Sequence, residues 1–298
     1  MLIAFDEVRR NKLRSYLLIF FFVILIAGLG ALLGYFYGSI YLGLGLAIFF
    51  ALIYTLIVFF SGDKMILTLS GAKPVTKKEY PHLYHSVEGL ALAAGIETPK
   101  AYVIEDEAMN AFATGRDPKN SAIAVTSGLL KKMNRQELEG VIAHEMSHIK
   151  NYDIRTMMLA AVLVGIIALL SHFMLRSFLW GSGNRKSKDS GQLQIILIVV
   201  GLALAILTPF IAQLIKLAIS RRREYMADAS GVILSRYPPG LASALKKIEK
   251  ENLTVKGASN ATAHLYISNP LRNKKELFSG LFATHPPIKE RIKRLEAM

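Results

Sequence analysis

The chain has 298 residues, 52% of them hydrophobic, a formal net charge of +14 and no cysteine. The missing thiols exclude disulfides and thiolate metal sites. Mean hydropathy is +0.36 and the basic residues gather beside apolar runs, which points to a lipid bilayer and sets a nucleic-acid partner aside.

In chain order, the first feature is a run from Ser15 to Gly62, 48 residues without a charged side chain. A bilayer core takes about 20 apolar residues per helix, so this run holds two spans, with a break near Gly38 and Ser39. It is too long for a cleaved signal peptide, and no small-residue cleavage site ends it. A polar block follows. Lys78 to Ala94 reads as an amphipathic helix stopped by Gly95. Short strands are expected at Ala101 to Ile104, Ala111 to Thr114 and Ala122 to Thr126, separated by turn residues such as Gly115, Asp117-Pro118 and Asn120-Ser121. Asn134 with Glu137 three residues on is an N-cap and its reciprocal partner. The helix that starts there meets no proline up to Arg155, and Leu138, Val141, Ile142 and Met146 recur at helical spacing.

Two further charge-free runs come next, Thr156 to Leu175 (20 residues) and Ser190 to Ile215 (26 residues). Four transmembrane helices is the economical reading. Basic residues flank them unevenly: Arg9, Arg10, Lys12 and Arg14 precede the first span, Lys73, Lys77 and Lys78 follow the second, and Lys216 with Arg221 to Arg223 follow the fourth. These belong on the cytoplasmic side. Arg185, Lys186 and Lys188 dissent but, with Asp189, carry only a net +2. Both termini are therefore expected inside. The segments are 1–61 (N-terminal transmembrane hairpin), 62–155 (first polar part), 156–217 (second hairpin) and 218–298 (second polar part, mostly helical).

The chemistry lies in His144-Glu145-Met146-Ser147-His148. On a helix, residues i and i+4 lie one turn apart on one face, so both imidazoles reach one ion while Glu145 lies beside it, the arrangement of zinc peptidases. A third protein ligand is needed. No histidine lies six residues beyond His148, where Ile154 stands. Asp153 is close but faces away from the pair at helical spacing. Glu224 is the better candidate, because Asp228 one turn on can accept the proton of a ligand histidine. Spacing alone equally allows Glu224 and Asp228 to be exposed carboxylates balancing the arginines. Topology favours the ligand reading. His148 lies 8 residues before Thr156 and Glu224 lies 8 after Lys216, so each stands about 12 Å from the hydrocarbon if its helix is unbroken.

These residues resemble the membrane zinc metalloproteases that include the HtpX-type heat-shock proteases and the CAAX prenyl proteases. The likeness rests on residues 144–148, Glu224-Tyr225-Met226-Ala227-Asp228, Asn110 to Gly115, and Thr284-His285-Pro286-Pro287 with Arg291 beyond. Length and span count are closer to the HtpX branch. The resemblance implies a mainly α membrane protein with a cytoplasmic α+β gluzincin-like protease domain and a small β-sheet. It implies one Zn²⁺ per chain on His144, His148 and Glu224, Glu145 as general base, Asp228 behind the ligands, Asn110 and Ala111 on a peptide-binding edge strand, and His285 as an oxyanion stabiliser. Protein and peptide substrates, with quality control of damaged membrane proteins in the cell membrane, follow from the same resemblance. The rival readings are a CAAX-type prenyl-protein endopeptidase and a non-catalytic membrane scaffold, the latter separated by zinc content. His82 and His85 share a helix face and read as solvated; His172, within span three, reads as an interhelical hydrogen-bonding group.

Overall fold

In a computed structural model of the chain, the structure describes residues 2–36, 38–181, 201, 221–251, 253–259, 261–271 and 286–298. In chain order the elements are α1 (Leu2–Phe36), α2 (Ile40–Leu69), β1 (Ala72–Pro74), α3 (Pro81–Ala94), β2 (Lys100–Ile104), β3 (Ala111–Asp117), β4 (Asn120–Thr126), α4 (Ser127–Lys132), α5 (Arg135–Lys150), α6 (Asp153–Gly181), α7 (Arg221–Ser235), α8 (Pro238–Lys250), a 3₁₀ turn (Ala263–Leu265) and α9 (Ile288–Glu296).

Helices α1 and α2 form an antiparallel apolar hairpin. Gly38 turns it at φ 81°, and the Ser39 hydroxyl accepts from the Leu42 N–H to cap α2. The helices touch backbone to backbone at Gly34 and Gly43, where a Cβ on Gly43 would stand 2.6 Å from the Gly34 Cα. Small residues allow this close approach in membrane helix pairs. Both helices are long and apolar enough to cross a bilayer, over Asp6–Tyr35 and Ile40–Leu69, and only 22% and 17% of their most apolar windows are buried. A soluble core helix would be mostly covered. Here Tyr16, Phe20, Phe50 and Phe60 are each more than half exposed, an apolar surface that water does not tolerate at this extent.

The expected third span begins on α6, whose first turns, Ile154 to Leu163, are buried in protein. The expected fourth span, the basic loop before it and His285 lie outside the described residues, as does the His172 side chain. One expectation is corrected outright. The metal-site helix does not run unbroken to Arg155: α5 ends at Lys150, and Tyr152 takes a left-handed conformation (φ 61°) before α6 starts at Asp153. The helical-rise argument for the height of His148 therefore does not hold.

The four strands lie in the order β1-β2-β4-β3, with β2 and β4 parallel and the other pairs antiparallel. Alternation along each strand serves two different cores. Ala111, Ala113, Ile123 and Val125 face α3 and α5, while Phe112, Ala122 and Ala124 face α2 and α6. The sheet is thus clamped between the α5 layer and the apolar hairpin. Strand β3 stands at the edge, on the α5 side of which the candidate site is built.

Candidate metal centre

Helix α5 is fixed at its start by a complete capping box between Asn134 and Glu137. Glu137 also accepts from the Ser243 hydroxyl and from the Lys247 ammonium, both at 2.6 Å, tying α8 to the same turn. Two turns further on, His144 and His148 are buried, with rings 4.8 Å apart and nearly perpendicular. Their Nε2 atoms are 3.2 Å apart. Each ring is anchored from behind by a carboxylate. His144 Nδ1 lies 3.0 Å from Asp228 Oδ1, and His148 Nδ1 lies 3.0 Å from Asp153 Oδ2. A carboxylate behind Nδ1 places the proton there and leaves Nε2 as a lone pair, so the two lone pairs converge on one point.

Helix α7 brings the third donor. Glu224 Oε1 is 3.5 Å from His148 Nε2, and Oε2 is 3.8 Å from His144 Nε2. Helix α7 can lie this close to α5 because Gly231 faces it: a Cβ there would stand 3.0 Å from the His144 backbone nitrogen. One ligand atom each from His144, His148 and Glu224 falls within 4.8 Å of the others. Two nitrogens at about 2.0–2.1 Å from a tetrahedral zinc are about 3.3 Å apart, so the observed spacing fits that ion. Glu224 and Asp228 are both buried, which removes the exposed-carboxylate reading.

The surroundings explain how so much charge stays buried. Arg291 of α9 donates to both Asp228 oxygens, at 2.9 and 2.7 Å, and to the Ile267 carbonyl at 2.8 Å. Its Nη1 is 3.7 Å from Glu224. Burial works against both members of the pair, but the guanidinium holds Asp228 down to about 2, and the two carboxylates raise Arg291. Burial lowers the His144 pKa, with Asp228 pulling against it and Arg291 adding to it. Burial also works to lower that of His148, but the Asp153 hydrogen bond and the charge of Glu224 outweigh it and push it up to about 9. The two nitrogens thus demand an electrophile between them: a proton meets that demand, and a divalent cation meets it with Glu224 as a further donor.

Glu145, on the same helix, is buried, and neither oxygen has a hydrogen-bond partner among the described residues. Burial raises its carboxyl to about 7; the His148 charge opposes this, the Glu224 charge adds to it, and the Ala113 backbone N–H pulls down without reaching hydrogen-bonding geometry. An unpartnered buried carboxylate beside a metal-ligand set is poised to exchange a proton at neutral pH.

Asp153 is the main correction. Expected to face away from the histidines, it sits against His148, because the break at Asn151 and Tyr152 re-aims the chain. No glycine or proline marks that corner. Asn110 and Ala111 open strand β3, and both are buried. The Asn110 amide donates to the Ser268 carbonyl (3.1 Å), the Ala111 carbonyl accepts from Ile267 N–H (2.9 Å), and Phe112 bridges to Tyr266. The outer side of the strand's first residues is therefore held by the chain itself. His82 and His85 are exposed on α3.

The description of peptidase family M48 matches residues 77–298. A "Protease HtpX homolog" from Dictyoglomus thermophilum is 48% identical over 302 residues, covering 99% of this chain and 94% of that protein. One from Listeria monocytogenes is 45% identical over 303 residues, covering 99% of each. Among solved structures, the crystal structure of S. mikatae Ste24p aligns at a TM-score of 0.51 and 19% identity, over 99% of this chain and 67% of that one; at that identity the likeness is one of fold.

Proposed function

The chain belongs to peptidase family M48, and we propose that in this membrane zinc metalloprotease His144, His148 and Glu224 hold the ion while Glu145 moves the proton. The observation that carries the assignment is the convergence of those three donors beside an unpartnered, buried Glu145. When bound, zinc polarises the scissile carbonyl and lowers the pKa of a water toward about 7. Glu145 takes the proton of the attacking water and delivers it to the departing amine. Asp228 and Asp153 hold the imidazoles in the tautomer that presents Nε2, and Arg291 keeps Asp228 ionised. The peptide pairs with the edge strand β3, an arrangement that reads backbone and leaves side-chain identity open. Because residues 266–268 cover Asn110 and Ala111, it takes the length of β3 beyond them. His285 serves the developing oxyanion.

The active site faces the cytoplasm, with four spans and both termini inside. Support for this comes from the basic residues flanking the apolar runs, Arg9 to Arg14 before α1 and Arg221 to Arg223 at the start of α7. The site lies close to the membrane surface, since α6 starts five residues after His148 and packs against α1. Substrates are then membrane proteins exposing an extended segment at that surface, and their removal is a quality-control task. The test is Glu145→Gln in the detergent-purified chain. Hydrolysis of a membrane-protein panel should be lost while one zinc per chain remains; retained hydrolysis refutes the role of Glu145, and zinc retained by His144→Ala refutes the ligand set.

A further inference from the structure

The basic segment ahead of the first apolar run reads as a solvated anchor, yet one of its residues is fully buried. Asn11 of α1 is 0% exposed. Its Nδ2 donates to Asp153 Oδ1 at 2.6 Å and to the Asn151 carbonyl at 2.9 Å, while its Oδ1 lies 3.4 Å from Arg14 Nη1. The other Asp153 oxygen meets His148 Nδ1 at 3.0 Å. A chain of three side chains thus runs from a membrane helix to a metal-site histidine across 142 positions of sequence. The same amide also satisfies the carbonyl just before the left-handed Tyr152, so it braces the corner where α5 turns into α6.

Asp153 has one other cationic neighbour, Arg223, whose Nη1 is 3.4 Å from Oδ1. None of the three guanidinium nitrogens of Arg223 makes a hydrogen bond among the described residues. Arg223 supplies charge to Asp153; the short, directed donor is Asn11. Removing it leaves a buried carboxylate oxygen short of a partner, a loss of the kind that costs the full desolvation of that group. Asp153 is then free to turn toward Arg223, and His148 loses the contact that fixes its ring.

We propose that Asn11 is a positioning residue for the metal centre: it fixes Asp153, and through it the orientation of His148, so that α1 is a structural part of the zinc site as well as a membrane anchor. This rests on His148 being a ligand. The consequence is that a shift of α1 in the bilayer loosens one metal ligand directly, without a change in the protease half of the chain.

The test measures zinc affinity by chelator competition on the full-length, detergent-purified chain. Asn11→Leu should weaken zinc about tenfold, the lower end of what groups behind a metal ligand contribute. Asn11→Ala, which removes the same donor without added bulk, gives the same reading should the leucine variant not fold. Ser15→Ala is the control. It lies one turn further along α1 and contacts Thr156 at 3.0 Å, so it samples the docking of α1 without touching Asp153, and its zinc affinity should equal wild type. In an Asp153→Ala background the Asn11 substitution should add nothing. Wild-type affinity in both Asn11 variants overturns the proposal, as does an equal loss in Ser15→Ala or a full Asn11 effect without Asp153. If His148→Ala keeps its zinc, the ligand assignment itself has failed; if it loses zinc while the Asn11 variants do not, only the positioning role has.

Discussion

Replacing Asp228 by Asn tests the support behind His144 more sharply than removing a ligand does. The amide keeps the size of the side chain and one acceptor for the His144 Nδ1 proton, but it removes the charge that Arg291 grips with two hydrogen bonds of 2.9 and 2.7 Å. Arg291 is then a buried guanidinium whose nearest carboxylate is Glu224, 3.7 Å away, and it competes with the metal for that ligand. Asp228 is held from an ordinary 3.8 down to about 2, and at about 1.4 kcal/mol per pKa unit its charge is worth roughly 2 kcal/mol to the folded state. For a domain of this size that is a fall in Tm of roughly 4–8 °C. Groups behind a ligand change metal affinity by about 10–100-fold, so zinc should bind correspondingly weaker. Because the folded pKa is the lower one, this stability is present above 3.8 and is lost as pH falls toward 2. The Tm difference between wild type and Asp228→Asn should therefore be constant from neutral pH down to about 5 and close only below about 4. Melting curves with and without excess zinc, and chelator competition, measure both effects. An Asp228→Asn protein with wild-type Tm and wild-type zinc affinity would refute the reasoning.

Two other outcomes follow from the same structure. Asn134→Ala removes the side-chain half of the capping box on α5 and should cost about 1 kcal/mol, seen as a lower Tm with zinc affinity unchanged, since the cap lies more than two turns from His144. Glu145 sits at about 7 without a cation beside it, and a dication can only lower that value. The acid limb of kcat/KM should therefore fall at or below about pH 7, and a limb at higher pH would assign the base elsewhere.

How much of this was legible from the sequence depends on the range of the contact. The helix carrying His144 and His148 was readable because its signals are local: a cap at Asn134, its partner at Glu137, and apolar residues at helical spacing. The pairing of Glu224 with Asp228 one turn on is equally local. Asp153 was misread because its position depends on the conformation of Tyr152, a left-handed residue without the glycine that usually announces one. Asn11 was invisible for another reason. An asparagine among Arg10, Lys12 and Arg14 looks like a polar flank, and only the folded chain shows its partner 142 positions away. The same holds for residues 266–268, whose place beside β3 is a long-range pairing that no periodicity encodes. Strand β1, three residues long, is too short to carry a pattern.

The charge of the buried cluster completes the case for a divalent ion. Asp153, Glu145, Glu224 and Asp228 are four buried carboxylates, against which the interior sets two guanidiniums, Arg223 and Arg291. With neutral imidazoles the cluster is two charges too negative, and a low-dielectric interior does not tolerate that imbalance. One dication removes it; otherwise protons must. This is why His148 rises to about 9 and Glu145 to about 7. Zinc binding must then expel what the site had taken up. At pH 7.5 His148 is protonated and Glu145 partly so, and binding should release between one and about one and a half protons. Calorimetric titrations in buffers of different ionisation enthalpy read that number directly from the slope. Glu145→Gln should remove the fractional part and leave about one proton, the one on His148. A binding enthalpy that does not vary with buffer would mean that the cluster holds its negative charge unneutralised, and the electrostatic logic of the site would have to be abandoned.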